Sequence, residues 1–317
     1  MANLPIFFPT RVLLVDDEPH VLRMTSLLFE QRPEVSSVLA FPDALAALDF
    51  LKQEQARLPA LDAFAAARVH DEIEDDGRHP VVRRHVEIRL SDVAEVLDAP
   101  HRRDLVSVIV CDYAMPGMDG LEFFSGPIDA GIRRVLLTAI CDEHRAVQAF
   151  NRGTIHQFVH KADAAGPRGL ETVLVDQIEA FFRSRTSHLA AALALGPAGG
   201  LLEHPELAQL LRDVAASRGF VEYSFSAVPP GFRLGGSSGR ARLLLADTGA
   251  FARTIRVVEE IEAPPSLAAA LRARDVMPWD RDGRAIYEAG DAWSALAVPP
   301  QAAGVSEPLF WALIDDA

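Results

Sequence analysis

Short unbroken apolar runs alternate with apolar residues at helical spacing through the first half of the chain. Arg11 to Val15 is the first such run, and Asp16-Asp17-Glu18 closes it. A run without polar alternation predicts a strand buried on both faces. Pro19 then suits the first turn of a helix, in which Val21, Met24 and Leu28 recur with Leu22 and Phe29 beside them. Val35 to Phe41 predicts a second strand, and Leu45, Leu48 and Leu51 mark one face of a second helix. After an interruption the rhythm resumes. Val106 to Cys111 is a strand ending at Asp112, followed by a helix opening at Leu121 to Phe124. Arg134 to Leu137 is a strand ending at Thr138, followed by a helix through Val147 and Phe150. Ile155 to His160 is a strand ending at Lys161, and Leu170, Leu174, Ile178 and Phe181 mark a long last helix. Five such units predict an α/β domain on a doubly wound, five-stranded parallel sheet.

This first domain spans 1–185. Its interruption, about 53–104, is rich in charge and histidine, with the run Asp71-Glu72-Ile73-Glu74-Asp75-Asp76. Structureless loops of that length are uncommon in a compact domain, so the stretch reads as an insertion with structure of its own. A weak strand (Val86 to Leu90) and a short helix (Asp92 to Leu97) are expected in it. His70, His79, His85 and His101 show no compact zinc-ligand spacing, and a solvated acidic surface is the better reading. Residues 186–200 form a helical linker with a hinge at Gly196-Pro197-Ala198-Gly199-Gly200. A smaller α+β domain, 201–317, follows. Its helix is expected at Pro205 to Ala216, and its strands at Phe220 to Phe225 and Ala241 to Leu245, joined by a Pro- and Gly-rich loop. Helices at Phe251 to Ile261 and Ser266 to Ala273 and a last strand at Leu309 to Ile314 complete it.

The chemistry gathers at strand ends. In an open parallel sheet ligands bind outside the carboxyl ends of the strands, and four strands here end in Asp16-Asp17, Asp112, Thr138 and Lys161. Converging carboxylates repel unless a cation relieves them, and Mg²⁺ suits a few carboxylates bridged to phosphoryl oxygens. Each residue has a plain structural role as an alternative: Asp17 a helix cap, Asp112 a loop aspartate, Thr138 a packed residue, Lys161 a solvated charge. Their coincidence at four strand ends favours a shared site.

On these residues the chain resembles the receiver domain of two-component response regulators, over roughly residues 11 to 185 without the insertion. Cys111-Asp112-Tyr113-Ala114-Met115-Pro116-Gly117-Met118-Asp119-Gly120 is similar to the family's phosphorylation-site loop. The resemblance implies a flavodoxin-like fold with Asp112 as phosphoacceptor. It implies Mg²⁺ held by Asp16, Asp17, Asp112 and the backbone carbonyl of Ala114. Thr138 would bond the transferred phosphoryl group and Lys161 pair with it. Phe158 falls at the switch aromatic, with a plain core aromatic as its alternative. Ala162 stands where members usually have proline, a departure that concerns the following loop and not the phosphoryl chemistry. The stretch Val147 to His156 resembles a subgroup that includes the Legionella quorum-sensing regulator. Val221-Glu222-Tyr223 and Pro229-Pro230-Gly231-Phe232 resemble the output modules such receivers carry. The implied partners are a sensor histidine kinase or phosphotransfer protein, with homodimerisation left open.

Charge narrows the rest. The 317 residues carry a net charge of −14, which argues against a broad grip on phosphate backbones. Lys52 and Lys161 are the only lysines. From Ser187 onward there are 11 arginines, no lysine and 16 acidic residues, a net of −5. No basic recognition helix stands out, so the expected output partner is a protein or small ligand and not nucleic acid. Gly235-Gly236-Ser237-Ser238-Gly239 reads as a hairpin turn, since no lysine or helix follows to hold phosphate. The alternatives are a transcription regulator with an atypical DNA-binding surface and an enzymatic output domain. A phosphatase of the haloacid-dehalogenase type wants a second acid two residues after its nucleophile, and Ala114 occupies that place. Cys111 and Cys141 cannot build a disulfide framework and read as inert thiols. With no apolar run of membrane-spanning length and no signal-peptide pattern at Met1 to Thr10, the cytoplasm is the expected compartment.

Overall fold

The computed structural model describes residues 4–57, 67–74, 81–88, 99, 101–138, 143–163, 169–194 and 199–316. Two compact units result, Phe8–Leu189 and a second built from Met1–Phe7 with Ala190–Ala317. The chain opens with β1 (Ile6–Phe7), a strand of the second unit, and then enters the first unit at β2 (Thr10–Val15).

The first unit continues through α1 (Pro19–Glu30), β3 (Val35–Phe41), α2 (Ala44–Arg57), β4 (Ala67–Glu74) and β5 (Val81–Ile88). Then come β6 (Val106–Asp112), α3 (Gly120–Phe124), β7 (Arg133–Thr138), α4 (Glu143–Asn151), β8 (Gln157–His160) and α5 (Leu170–Arg185). Five strands form one sheet in the order β3-β2-β6-β7-β8, every neighbouring pair parallel. Leu13, Val15, Ile109, Cys111 and Leu136 pack into a core with Ala47, Leu48, Phe123, Phe124 and Ala146. The intervening Val12, Leu14, Val108, Val110 and Leu137 are buried too, and strand alternation puts them on the opposite face. Burial on both faces is why these strands read as unbroken apolar runs.

The insertion forms a separate two-stranded antiparallel sheet, β4 with β5. It holds two full strands where the sequence suggested one weak one. The acidic run is largely strand, and the register sets Asp71 opposite Arg84 and Glu72 opposite Arg83. The helix expected at Asp92 to Leu97, His79, Cys141 and Gly196-Pro197-Ala198 lie outside the described residues.

The second unit adds α6 (Ser187–Ala194, which spans the boundary), α7 (Gly199–Leu202), α8 (Leu207–Arg218), β9 (Phe220–Ala227), β10 (Pro230–Gly236) and β11 (Gly239–Ala246). It ends with α9 (Thr248–Glu260), α10 (Pro265–Ala273), α11 (Trp293–Leu296), β12 (Gln301–Ala303) and β13 (Leu309–Asp315). The sheet runs β1-β9-β10-β11-β13-β12 with all neighbours antiparallel. Leu244, Phe251, Val258, Leu267, Leu271, Met277 and Phe310 form its core.

Two expectations are corrected here. The sequence pattern places the segment ending at Phe7 in the first domain, but Ile6 and Phe7 pair with Ser224 and Tyr223 in the second. The Pro- and Gly-rich stretch after Phe225 is not a loop but β10, paired on both edges. Its glycines mark close backbone approach: a Cβ on Gly231 would lie 2.0 Å from the Leu243 carbonyl oxygen. Gly236 and Gly239 pair across a tight hairpin turn, as expected for that glycine-rich run. No helix among the described residues is long and apolar enough to cross a membrane.

Gly231→Ala should therefore destabilise the protein by about 1–3 kcal/mol, the usual scale of overpacking. Gly200→Ala, with nothing within 4 Å of its added carbon, should not. Urea denaturation of both variants measures the contrast.

Candidate functional site

Parallel pairing brings the strand ends together. Val15 lies opposite Cys111, Asp112 opposite Leu137, and Thr138 opposite His160. Asp16, Asp112, Thr138 and Lys161 therefore fall on one carboxyl edge. Asp16, Asp112 and Thr138 are buried, while Asp17 is the more exposed member of the acidic group.

Oxygens of Asp16, Asp17 and Asp112 all lie within 4.8 Å of one another. At that separation each like-charged pair repels by about 3–4 kcal/mol at an effective dielectric constant near 20. Lys161 offsets part of this: its Nζ stands 3.0 Å from Asp112 Oδ1 and donates to Asp16 Oδ2 at 3.1 Å. Asp16 Oδ1 accepts from the Glu18 backbone N–H at 2.9 Å. Burial holds the Asp112 carboxyl above its ordinary value of 3.8, against the opposing pull of Lys161. Burial also works against the Lys161 ammonium, but its contacts with Asp112 and Asp16 prevail and raise it above 10.5. Three carboxylates against one ammonium leave a surplus of negative charge. An all-oxygen donor set of this kind fits a hard divalent cation such as Mg²⁺.

The loop after Asp112 explains its own sequence. The Tyr113 N–H donates to the Leu137 carbonyl at 2.8 Å, and the Gly120 N–H returns to the Tyr113 carbonyl at 2.9 Å. Gly117 turns with φ +82°. Asp119 caps α3 and forms a reciprocal capping box with Glu122. A Cβ on Gly120 would lie 2.4 Å from the Asp112 carbonyl oxygen, so only glycine lets α3 start this close to the strand. Ala114 sits exposed on this loop.

Asp17 is not the helix cap. Glu18 occupies that position and makes no side-chain cap bond. Phe158 is half-buried against the core, and Lys161 to Asp163 form a 3₁₀ turn. The Cys111 thiol is pushed far up by burial, then by Asp112, Asp16 and Asp119, which leaves it unreactive. Two neighbours escaped the sequence reading. Glu18 Oε1 lies 3.9 Å from Lys161 Nζ, a role that its place directly after the aspartates could have suggested. Arg145, on α4, donates to the Tyr113 hydroxyl at 2.5 Å, and no local signal marks that contact.

No protein-family model and no curated protein matches the chain. Its fold, a five-stranded parallel-sheet unit joined to a second, antiparallel-sheet unit, is similar to that of a solved response regulator. The solved structure that carries this assignment is the Legionella pneumophila response regulator LqsR, with a TM-score of 0.74 at 23% identity. The match covers 99% of this chain and 89% of that one. A receiver domain from Clostridium thermocellum, at 14% identity, covers 56% of this chain and 98% of its own, with a TM-score of 0.36 that adds nothing to the assignment.

Lys161→Met would leave the carboxylates facing one another. It should cost about 1–3 kcal/mol of stability without divalent cation, the range for stranding partly buried charges. Millimolar Mg²⁺ should restore much of the loss. Thermal denaturation of wild type and variant, in chelator and in Mg²⁺, measures both effects.

Proposed function

We propose that the chain is a phosphorylation-controlled switch with Asp112 as its phosphoacceptor. The observation that carries this reading is the convergence of three carboxylates within 4.8 Å beside the Lys161 ammonium. The donor is a phosphohistidine on a sensor histidine kinase or phosphotransfer protein. A carboxylate oxygen of Asp112 attacks phosphorus. The new P–O bond forms as the donor's P–N bond breaks, and the electron pair returns to the imidazole. Lys161 balances the charge of the acyl phosphate, and the Thr138 hydroxyl donates to a phosphoryl oxygen. Asp16, Asp17, Asp112 and the Ala114 carbonyl would hold Mg²⁺, which supplies charge neutralisation between carboxylates and phosphoryl group. Phe158 would follow Thr138 as the switch aromatic. Such a switch moves a pre-existing equilibrium only so far as its two states differ in contacts with the phosphoryl group. We place the protein in the cytoplasm on this reading.

Acetyl phosphate with Mg²⁺ should give a phosphoryl adduct visible by mass spectrometry. Asp112→Asn should abolish it, as should excess chelator. Because burial raises the Asp112 carboxyl, the adduct yield should fall on acidification towards that raised value, as the nucleophilic carboxylate is protonated. A folded chain with residues 55–102 replaced by a short Gly-Ser linker should still form it, since the insertion enters β6 at its amino end, opposite the reactive edge. An adduct that persists in Asp112→Asn overturns the assignment.

The second unit, in the same proposal, acts through a protein or small-ligand partner. Several of its arginines are committed internally. Arg242 donates to Asp316 and to the carbonyls of Asp282 and Arg281, while Arg218 pairs with Asp315 and Arg272 with Glu259. That leaves fewer to meet phosphates, and binding through phosphates would weaken steeply with salt. Mobility-shift assays with the phosphorylated full chain at physiological salt should show no sequence-specific complex. A specific complex at nanomolar protein would promote the transcription-regulator reading.

A further inference from the structure

We propose that the outer edge of β9 is a strand-addition site for an extended, uncharged apolar segment, with Leu4–Phe7 as its resident occupant. The proposal concerns the second unit alone and stands apart from the phosphoacceptor reading.

β9 runs for eight residues, and its inner edge pairs with β10 from Ala227 to Phe220. Among the described residues its outer edge pairs with Ile6 at Ser224 and with Phe7 at Tyr223. One further bond extends the ladder, from the Phe225 N–H to the Pro5 carbonyl at 2.6 Å. Pro5 has no N–H to offer, and an edge strand is where a proline of this kind fits. Leu4, Ile6 and Phe7 are all but fully buried. The Phe7 ring stacks on Tyr223 at 5.7 Å, and Tyr223 meets Phe232 edge-on at 5.6 Å. Main-chain bonds supply the attachment and alternate side chains supply the fit, which is how a peptide adds to a sheet edge.

The segment is a ligand in its relation to this sheet. No hairpin joins it to β9, and its successor Phe8 already belongs to the other unit, edge-on to Phe182 at 4.9 Å. What holds it is its short ladder, its buried side chains and the local concentration that one covalent chain provides. A competing strand of the same chemistry, from Leu-Pro-Ile-Phe-Phe-Pro-like sequence, would displace it by taking the same bonds. The edge thereby gives the second unit a way to recognise a protein partner without a basic surface.

The test uses the full chain and a fluorescent peptide with the sequence of residues 4–9. The double variant Ile6→Asp with Phe7→Asp vacates the edge. It should bind the peptide at least roughly tenfold more tightly than wild type, where the tethered segment competes at high effective concentration. A peptide with the same two positions changed to Asp should not bind. A variant with native near-ultraviolet circular dichroism that fails to bind overturns the proposal, as does equal binding by wild type. If the variant does not fold, hydrogen exchange in wild type decides. The Phe225 amide should exchange well before amides of β10 and β11, and equal protection overturns the proposal. A wild-type dimer that the double variant abolishes would make a second copy's segment the occupant and overturn the assignment in cis.

Discussion

A single ammonium group is what allows three carboxylates to share one end of the receiver sheet. Asp16 and Asp112 are buried and within 4.8 Å of each other, a placement that costs several kcal/mol by desolvation and repulsion together. Lys161 touches both, from a strand two places away from β6 in the sheet. The compensation is incomplete, and the residual negative charge is what a divalent cation would answer. Stability and chemistry are coupled at this point. A site that were fully neutralised by its own side chains would have no call for that cation.

The rest of the first unit serves that edge. The parallel register sets the four strand ends side by side, and apolar burial on both faces keeps the register from slipping. Gly117, Asp119 and Gly120 turn the chain back over Asp112 with no side chain in the way, and the capping box fixes where α3 begins. The insertion folds on its own two-stranded sheet and takes no part in the ladder that carries the site.

The second unit follows a different logic. Its antiparallel sheet gathers strands from the start of the chain and from its last third, and its glycines permit backbones to approach across β9, β10 and β11. Its arginines largely turn to its own carboxylates and carbonyls. Such a unit presents edges and shaped surfaces to a partner more readily than a field of positive charge.

The sequence by itself determined the parallel-sheet unit. Its sheet strands are short, largely apolar runs bounded by local signals, and four of the five end in a candidate site residue, so pattern and chemistry lay in the same few residues. The strand ends at Asp112 and Thr138 could be read because burial on both faces leaves no polar alternation to confuse them. Tertiary structure alone decided the rest. That Pro230 to Gly236 is a strand depended on partners on both sides whose backbones needed glycine, which locally looks like a turn. That Ile6 and Phe7 belong to the second unit depended on Tyr223 and Ser224, far along the chain. That Arg145 reaches Tyr113 depended on where α4 lies. In each case the deciding energy is a contact between segments distant in sequence, and no local pattern records it.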